Sequence, residues 1–161
     1  MKVLDEIVIR RATTSQACEE FLKRYPRHHK GVCIYGDASG CAQQTTGSTD
    51  YEMVREYFMV NSAVPVKYKV PKSNPAVRDR INLLNRQLRS ASGTVGLLVD
   101  PKCKELILDF EQVSYKQETN IIDKDRDRLR THLSDALGYL VWQECRMEPT
   151  VVEGTQRLPC A

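Results

Sequence analysis

The sequence lacks two features that would assign it to a class at once. Its six cysteines, at positions 18, 33, 41, 103, 145 and 160, form no Cys-x-x-Cys pair, so the close thiolate spacing of a zinc site is missing. No apolar run approaches the roughly 20 residues of a membrane-spanning helix. The first residues do not resemble a secretory signal. We therefore expect reduced thiols and a protein of the cell interior that is neither secreted nor membrane-bound.

A marked excess of charge is also lacking. The 161 residues carry 24 Lys and Arg against 21 Asp and Glu, a formal net charge of +3. So slight an excess does not identify a nucleic-acid-binding protein. Four arginines nevertheless lie close together in one predicted helix, where they form either a DNA-binding surface or an ordinary solvated helix face. They are Arg78, Arg80, Arg86 and Arg89.

The length fits one domain of ordinary size. We predict a folded domain over residues 1–148 and a flexible tail over 149–161. Alternation and apolar runs predict strands at 3–9, 32–37 and 95–99, all in one sheet with helices on its faces. A further strand is predicted at 64–70. Helical spacing predicts helices at 13–25, 50–60, from 77 to a stop at Gly93, 103–113 and 134–143, the first of them capped by Thr14 or Ser15.

The stretch GVCIYGDASG, residues 31–40, joins an apolar run to a carboxylate. Val32–Tyr35 is suited to a buried strand, and Asp37 follows it among glycine, alanine and serine. Open α/β sheets bind ligands at the carboxyl ends of their strands. Asp37 is therefore a candidate metal ligand, and the alternative is an Asp that caps the following turn.

Asp135 is the second candidate, in the first turn of the last predicted helix. Two-metal phosphodiester chemistry requires carboxylates that share divalent cations, and hard oxygen ligands favour Mg²⁺ or Mn²⁺. Asp37 and Asp135 could supply two such ligands. The alternative for Asp135 is a structural role, because a carboxylate near a helix N-terminus is stabilised by the helix dipole.

Several blocks, in order, resemble the nuclease domain of tailed-bacteriophage terminase large subunits. The resemblance implies a ribonuclease H-like fold, a mixed sheet with flanking helices, that holds two metal ions and cuts concatemeric viral DNA. It implies that Asp37 and Asp135 are catalytic, metal-binding residues, and His132 stands where the family often has a histidine. The blocks cover about residues 3–142 and are IYGDASG at 34–40, STDY at 48–51, NPAVRDRINLLN at 74–85, DPKCKELILDFEQVSYK at 100–116 and THLSDALGY at 131–139.

The resemblance also implies binding partners. The partners are double-stranded DNA, a terminase small subunit and a portal in the host cytoplasm, with oligomers only in the packaging motor. The chain differs from the family in two respects. The family's first acid lies upstream of the segment that residues 3–9 resemble, and the sequence has no Walker-type GxxxxGK[ST] motif. We therefore expect a C-terminal piece of a terminase from a phage or prophage, truncated at the N-terminus of its fold and lacking the ATPase domain.

Two functions of different classes follow. The chain is either a Mg²⁺- or Mn²⁺-dependent DNA endonuclease, or a catalytically silent DNA-binding or assembly module that has lost the first acid. DNA immediately upstream of the start codon that encodes, in frame, a strand ending in Asp would favour the endonuclease. A third interpretation, an unrelated α/β domain whose acids lie in turns, remains open.

Overall fold

A computed structural model describes residues 1–26, 30–42, 47–112 and 130–146, which form a mixed α/β fold. Its strands are β1 Lys2–Val3, β2 Val32–Tyr35, β3 Val66–Lys69 and β4 Leu98–Val99. Its helices are α1 Thr14–Arg24, α2 Asp50–Asn61, α3 Val77–Leu88, α4 Lys104–Gln112 and α5 His132–Cys145, with a 3-10 turn at Ala38–Cys41. The predicted tail, residues 149–161, lies outside the described residues.

The described strands form two separate parallel sheets of two strands each. β1 pairs with β4, with Lys2 opposite Leu98, and β2 pairs with β3, with Val32 opposite Val66. The prediction of a single sheet was therefore wrong for β2, although the first and last predicted strands do pair with each other. The predicted strand at 3–9 was also wrong beyond Val3, where the ladder stops.

Two acidic side chains explain why the chain leaves the sheet after Val3. The carboxylate of Glu6 accepts hydrogen bonds from the backbone N–H groups of Glu105, at 3.0 Å, and Leu106, at 2.9 Å. It thereby satisfies donors that the start of α4 leaves open. Asp5 accepts a hydrogen bond from the Tyr25 hydroxyl at the end of α1. Asp5 and Glu6 are thus held by side-chain bonds to two helices instead of by a strand ladder.

The main hydrophobic core lies where α3, α4 and α5 meet. α3 and α5 are in extensive contact, and α4 packs on α5. A second contact joins α1 and α2, where the rings of Phe21 and Phe58 lie 5.8 Å apart. The buried members of the main core are Leu84, Leu97, Cys103, Leu106, Leu137 and Val141.

The N-cap of the first helix lies one residue before the predicted Thr14 or Ser15. Thr13 is the N-cap, and a reciprocal pair of bonds with Gln16 completes a capping box. We expect Thr13→Ala to lower the free energy of unfolding by about 1 kcal/mol, because the cap bond is lost. Ser15→Ala is the matched control, since Ser15 is exposed within the helix, and it should change stability little. Urea denaturation of both variants measures the difference, and equal losses would contradict the cap.

Candidate functional site

Asp37 lies two residues beyond the end of β2, at the start of the 3-10 turn. Its Oδ1 atom accepts hydrogen bonds from the backbone N–H groups of Ser39, at 2.8 Å, and Gly40, at 3.2 Å. The capping role considered from the sequence is therefore present. Both bonds are accepted by Oδ1. A capping role for this oxygen is therefore compatible with a metal-ligand role for Oδ2 of the same carboxylate.

Tyr51 supports the Asp37 turn from α2. Its hydroxyl donates a hydrogen bond of 2.8 Å to the backbone carbonyl of Asp37, and its ring fills the space beside Gly36 and Gly40. A Cβ atom at Gly40 would lie 2.7 Å from a Tyr51 ring carbon, so a larger residue does not fit. Burial, reinforced by the nearby Asp37 charge, raises the pKa of Tyr51 to about 12. Tyr51 therefore remains a neutral hydrogen-bond donor at physiological pH.

Asn74 holds the same turn from the chain segment before α3. Its side-chain oxygen accepts a hydrogen bond of 2.7 Å from the backbone N–H of Ala38. The Asp37 turn is thus supported by groups on two elements, α2 and the residues that lead into α3. The geometry at Asp37 depends on contacts that its own segment cannot supply.

Asp135 projects from the first turn of α5 and is paired with Arg80 of α3. Nη2 of Arg80 lies 2.7 Å from the Oδ1 atom of Asp135, and Nη1 donates a bond of 2.8 Å to the backbone carbonyl of the same residue. The guanidinium carbon also lies 4.3 Å from the centre of the Tyr139 ring, one turn further along α5. Asp135 is therefore part of a buried ion pair as well as a first-turn carboxylate.

The start of α5 is held by Asp109, which the sequence analysis did not identify. Asp109 is 1% exposed, and its Oδ2 atom accepts bonds of 3.1 Å from the backbone N–H groups of Leu133 and Ser134. Thr131 precedes the helix in a left-handed conformation and gives no side-chain cap bond. The Asp109 carboxylate of α4 thus caps the start of α5 in place of a side chain at Thr131. Helical spacing could have indicated that Asp109 is buried, because it lies three residues after the buried Leu106 and so shares its face of α4.

Asp37 and Asp135 line the same cleft, although they are far apart in sequence. The cleft has a volume of about 460 Å³ and opens between the Asp37 turn, the start of α3 and the start of α5. His132 and Asp50 also line it, and Asp50 is a third carboxylate that the sequence analysis had not selected. A larger groove of about 590 Å³ between α2 and β3 has no carboxylate among its lining residues, so the acidic cleft is the better candidate for metal chemistry.

The four arginines predicted to bind DNA do not share one environment. Arg78, Arg86 and Arg89 are exposed on α3 or at its end. Arg80 is only 3% exposed, so its placement on a solvent-facing surface was wrong. Helical spacing explains the difference, because Arg80 lies one turn before the buried Leu84 and shares its face.

The donors in the cleft suit a hard divalent cation, but the described residues supply few of them. Carboxylate oxygens are the ligands that Mg²⁺ and Mn²⁺ prefer. Within residues 1–26, 30–42, 47–112 and 130–146, no three His, Cys, Asp or Glu side chains come close enough to hold a metal ion together. If Asp37 and Asp135 act as the two predicted ligands, further coordination sites would have to be filled by water, substrate or another carboxylate.

None of the helices among the described residues has the length and apolar character needed to cross a bilayer. No family model, no curated protein and no solved structure matches this chain.

Proposed function

We propose that the chain is the nuclease domain of a tailed-phage terminase large subunit, built on a ribonuclease H-like fold. The observation that carries the proposal is the common cleft of Asp37 and Asp135. Residues selected separately, one after a strand and one in a helix, line one cavity. The proposal includes the partners that the sequence resemblance implies: double-stranded DNA, a small subunit and a portal, in the cytoplasm of a bacterial host.

In this proposal Asp37 and Asp135 hold the metal ions. Two divalent cations bound there would activate a water and stabilise the departing 3′ oxygen of the cleaved phosphodiester. The protein's own contribution is to orient the carboxylates. Tyr51 and Asn74 fix the backbone of the Asp37 turn, and Arg80 fixes one oxygen of Asp135.

The exposed arginines of α3 provide the proposed DNA contact. Arg78 and Arg89 are about three turns apart, so they lie on nearly the same face of the helix. Val77 and Arg80, from the first turns of the same helix, line the acidic cleft. Arg78 is two positions from Arg80, so it lies on the opposite side of α3, and the proposed DNA contact is on the helix face that points away from the cleft. Such contacts weaken as salt rises, because phosphate binding releases condensed counterions.

A catalytically silent DNA-binding module is the second candidate. Two observations favour it: the described residues contain no three-ligand cluster, and a buried guanidinium already pairs with Asp135. The two functions make the same prediction for DNA binding. They differ in whether a divalent cation produces cleavage.

A plasmid cleavage assay with Mn²⁺ tests the proposal. We expect the 161-residue chain to bind Mn²⁺ weakly and to cut slowly, because two carboxylates leave a metal pair underneutralised. A chain extended in frame by an upstream strand that ends in Asp should bind Mn²⁺ more tightly and cut faster. Absence of cleavage by both proteins, with DNA binding intact, would favour the silent module.

A further inference from the structure

We propose that the outer edge of β3, together with the groove between α2 and β3, binds an acidic segment of another protein in an extended conformation. The segment would join the two described strands as a third strand and place alternate side chains in the groove. This inference is independent of the proposed nuclease function, because none of the residues that line the groove also lines the acidic cleft.

One edge of β3 is open to another strand. In the described part of the chain β3 pairs with β2 alone, with Val66 opposite Val32. The N–H group of Val32 donates a hydrogen bond of 2.9 Å to the carbonyl of Pro65. In a parallel ladder with this register, the N–H and C=O groups of Val66 and Tyr68 point away from β2. An extended chain along this edge would therefore find both donors and acceptors in position.

The groove beside this edge offers apolar surface for side chains of the added strand. Met59 of α2 lines the groove and is 76% exposed, and Phe58 and Val64 line it as well. None of the described lining residues belongs to β2, so the groove lies towards the outer side of β3. Every second side chain of an added strand would point to this side of the sheet.

The charges around the groove favour an acidic segment. Arg55 is the only charged residue among the described residues that line the groove. Lys67 is exposed on β3, and it points to the opposite side of the strand from Val66 and Tyr68. Carboxylates on either side of an added strand would therefore meet a positive charge, and opposite charges on neighbouring strands stabilise their pairing.

A second copy of the chain fits this edge less well. Antiparallel pairing of two β3 strands through the outward groups of Val66 and Tyr68 would place each Lys67 opposite its counterpart, and like charges in that position are destabilising. β3 is also only four residues long. Short edge strands that carry lysine resist pairing with a copy of themselves. An acidic segment would convert this repulsion into attraction.

Fluorescence anisotropy with two labelled peptides tests the inference. One peptide alternates valine with glutamate over about eight residues, a usual strand length, and the other alternates valine with lysine. We expect the acidic peptide to bind with a Kd below about 1 mM. It should bind at least about tenfold more tightly than the basic peptide, because Arg55 and Lys67 attract one and repel the other.

Three variants, two of them with matched controls, locate the binding site. Val66→Pro removes an outward N–H group but no bond to β2, and it should weaken binding of the acidic peptide by about fivefold, as for one lost hydrogen bond. Met59→Ser should weaken binding, whereas Val60→Ser should not, because Val60 is 82% exposed on α2 but does not line the groove. Lys67→Glu should reduce the preference for the acidic peptide, whereas Lys23→Glu, an equal charge change on the exposed surface of α1, should not.

Circular dichroism identifies any variant that fails to fold, and Met59→Ser and Lys67→Glu provide the test if Val66→Pro does. Equal binding of the two peptides, no binding of either, or binding of the acidic peptide that none of the three variants changes would overturn the inference. A dimer in sedimentation velocity that Val66→Pro abolishes would show a second copy on this edge and would overturn it too. These results leave the proposed nuclease function untouched, since Mn²⁺-dependent cleavage tests that function separately.

Discussion

Asparagine at position 37 or 135 is expected to abolish the proposed metal-dependent cleavage, and at position 135 it should also lower stability, because it removes the charge paired with the buried Arg80. Each substitution removes a carboxylate charge but little volume. Loss of an outer-shell partner typically costs 10–100-fold in metal affinity or activity, so loss of a ligand should lower the cleavage rate by more than about 100-fold. The measurement is plasmid cleavage with Mn²⁺, compared with the unsubstituted chain under the same conditions.

Asp79→Asn is the control for this pair. Asp79 is exposed on α3, next to Arg80 in sequence, and it is not among the residues that line the cleft. Cleavage by this variant should be unchanged. DNA binding should largely survive in all three variants, because phosphate contacts from arginine do not require the acidic residues. Vigorous metal-dependent cleavage that is undiminished by Asp37→Asn would show that other acids form the site.

Removal of the Asp109 carboxylate should have the largest effect on stability. Asp109→Ala deprives two backbone donors of α5 of their partner, and it also removes a charge 3.7 Å from Arg130. Breaking a buried charged network of this kind costs about 3 kcal/mol. Chemical denaturation should show this loss, and α5 should exchange its amide hydrogens faster from its first turn onward.

Two comparison variants separate capping from general damage to α4. Asp109→Asn keeps a side-chain oxygen for the α5 donors and should cost less than the alanine variant. Glu111→Ala alters an exposed acid of the same helix, and surface changes of this kind are usually within about 0.5 kcal/mol of neutral. Equal destabilisation by Asp109→Ala and Glu111→Ala would contradict the capping role.

The helices were predicted from the sequence with errors at their ends. α2 begins and ends within one residue of the predicted bounds, because helical spacing of apolar residues is a local property of the chain. α3 begins at the predicted Val77 but ends at Leu88, well before the predicted stop at Gly93. α5 begins at His132, two residues before the predicted start at 134, and it ends at Cys145, two residues after the predicted end. Helix ends depend on caps, and the cap of α5 comes from Asp109 in another helix.

Strand pairing was less predictable than strand position. The apolar run Val32–Tyr35 is a strand, as its composition indicates. Nothing local distinguishes β1 from β3 as its partner. The structure pairs β2 with β3 and β1 with β4, and these pairings join residues that are far apart in the sequence.

By itself, the sequence determined the helix periodicities, the position of the strand before Asp37 and the presence of a carboxylate at each of two element ends, because these properties depend on residues within a few positions of one another. The predicted burial of that strand was wrong, since Cys33 is exposed and its other residues are only half-buried. Only the tertiary structure decided that Arg80 faces Asp135 instead of solvent, that Tyr51 occupies the space beside Gly36 and Gly40, and that Asp37 and Asp135 share a cleft. Each of these outcomes joins different elements, and Arg80 and Asp135 are 55 positions apart. The pairing of such distant groups follows from how helices and sheets pack, which no short segment specifies.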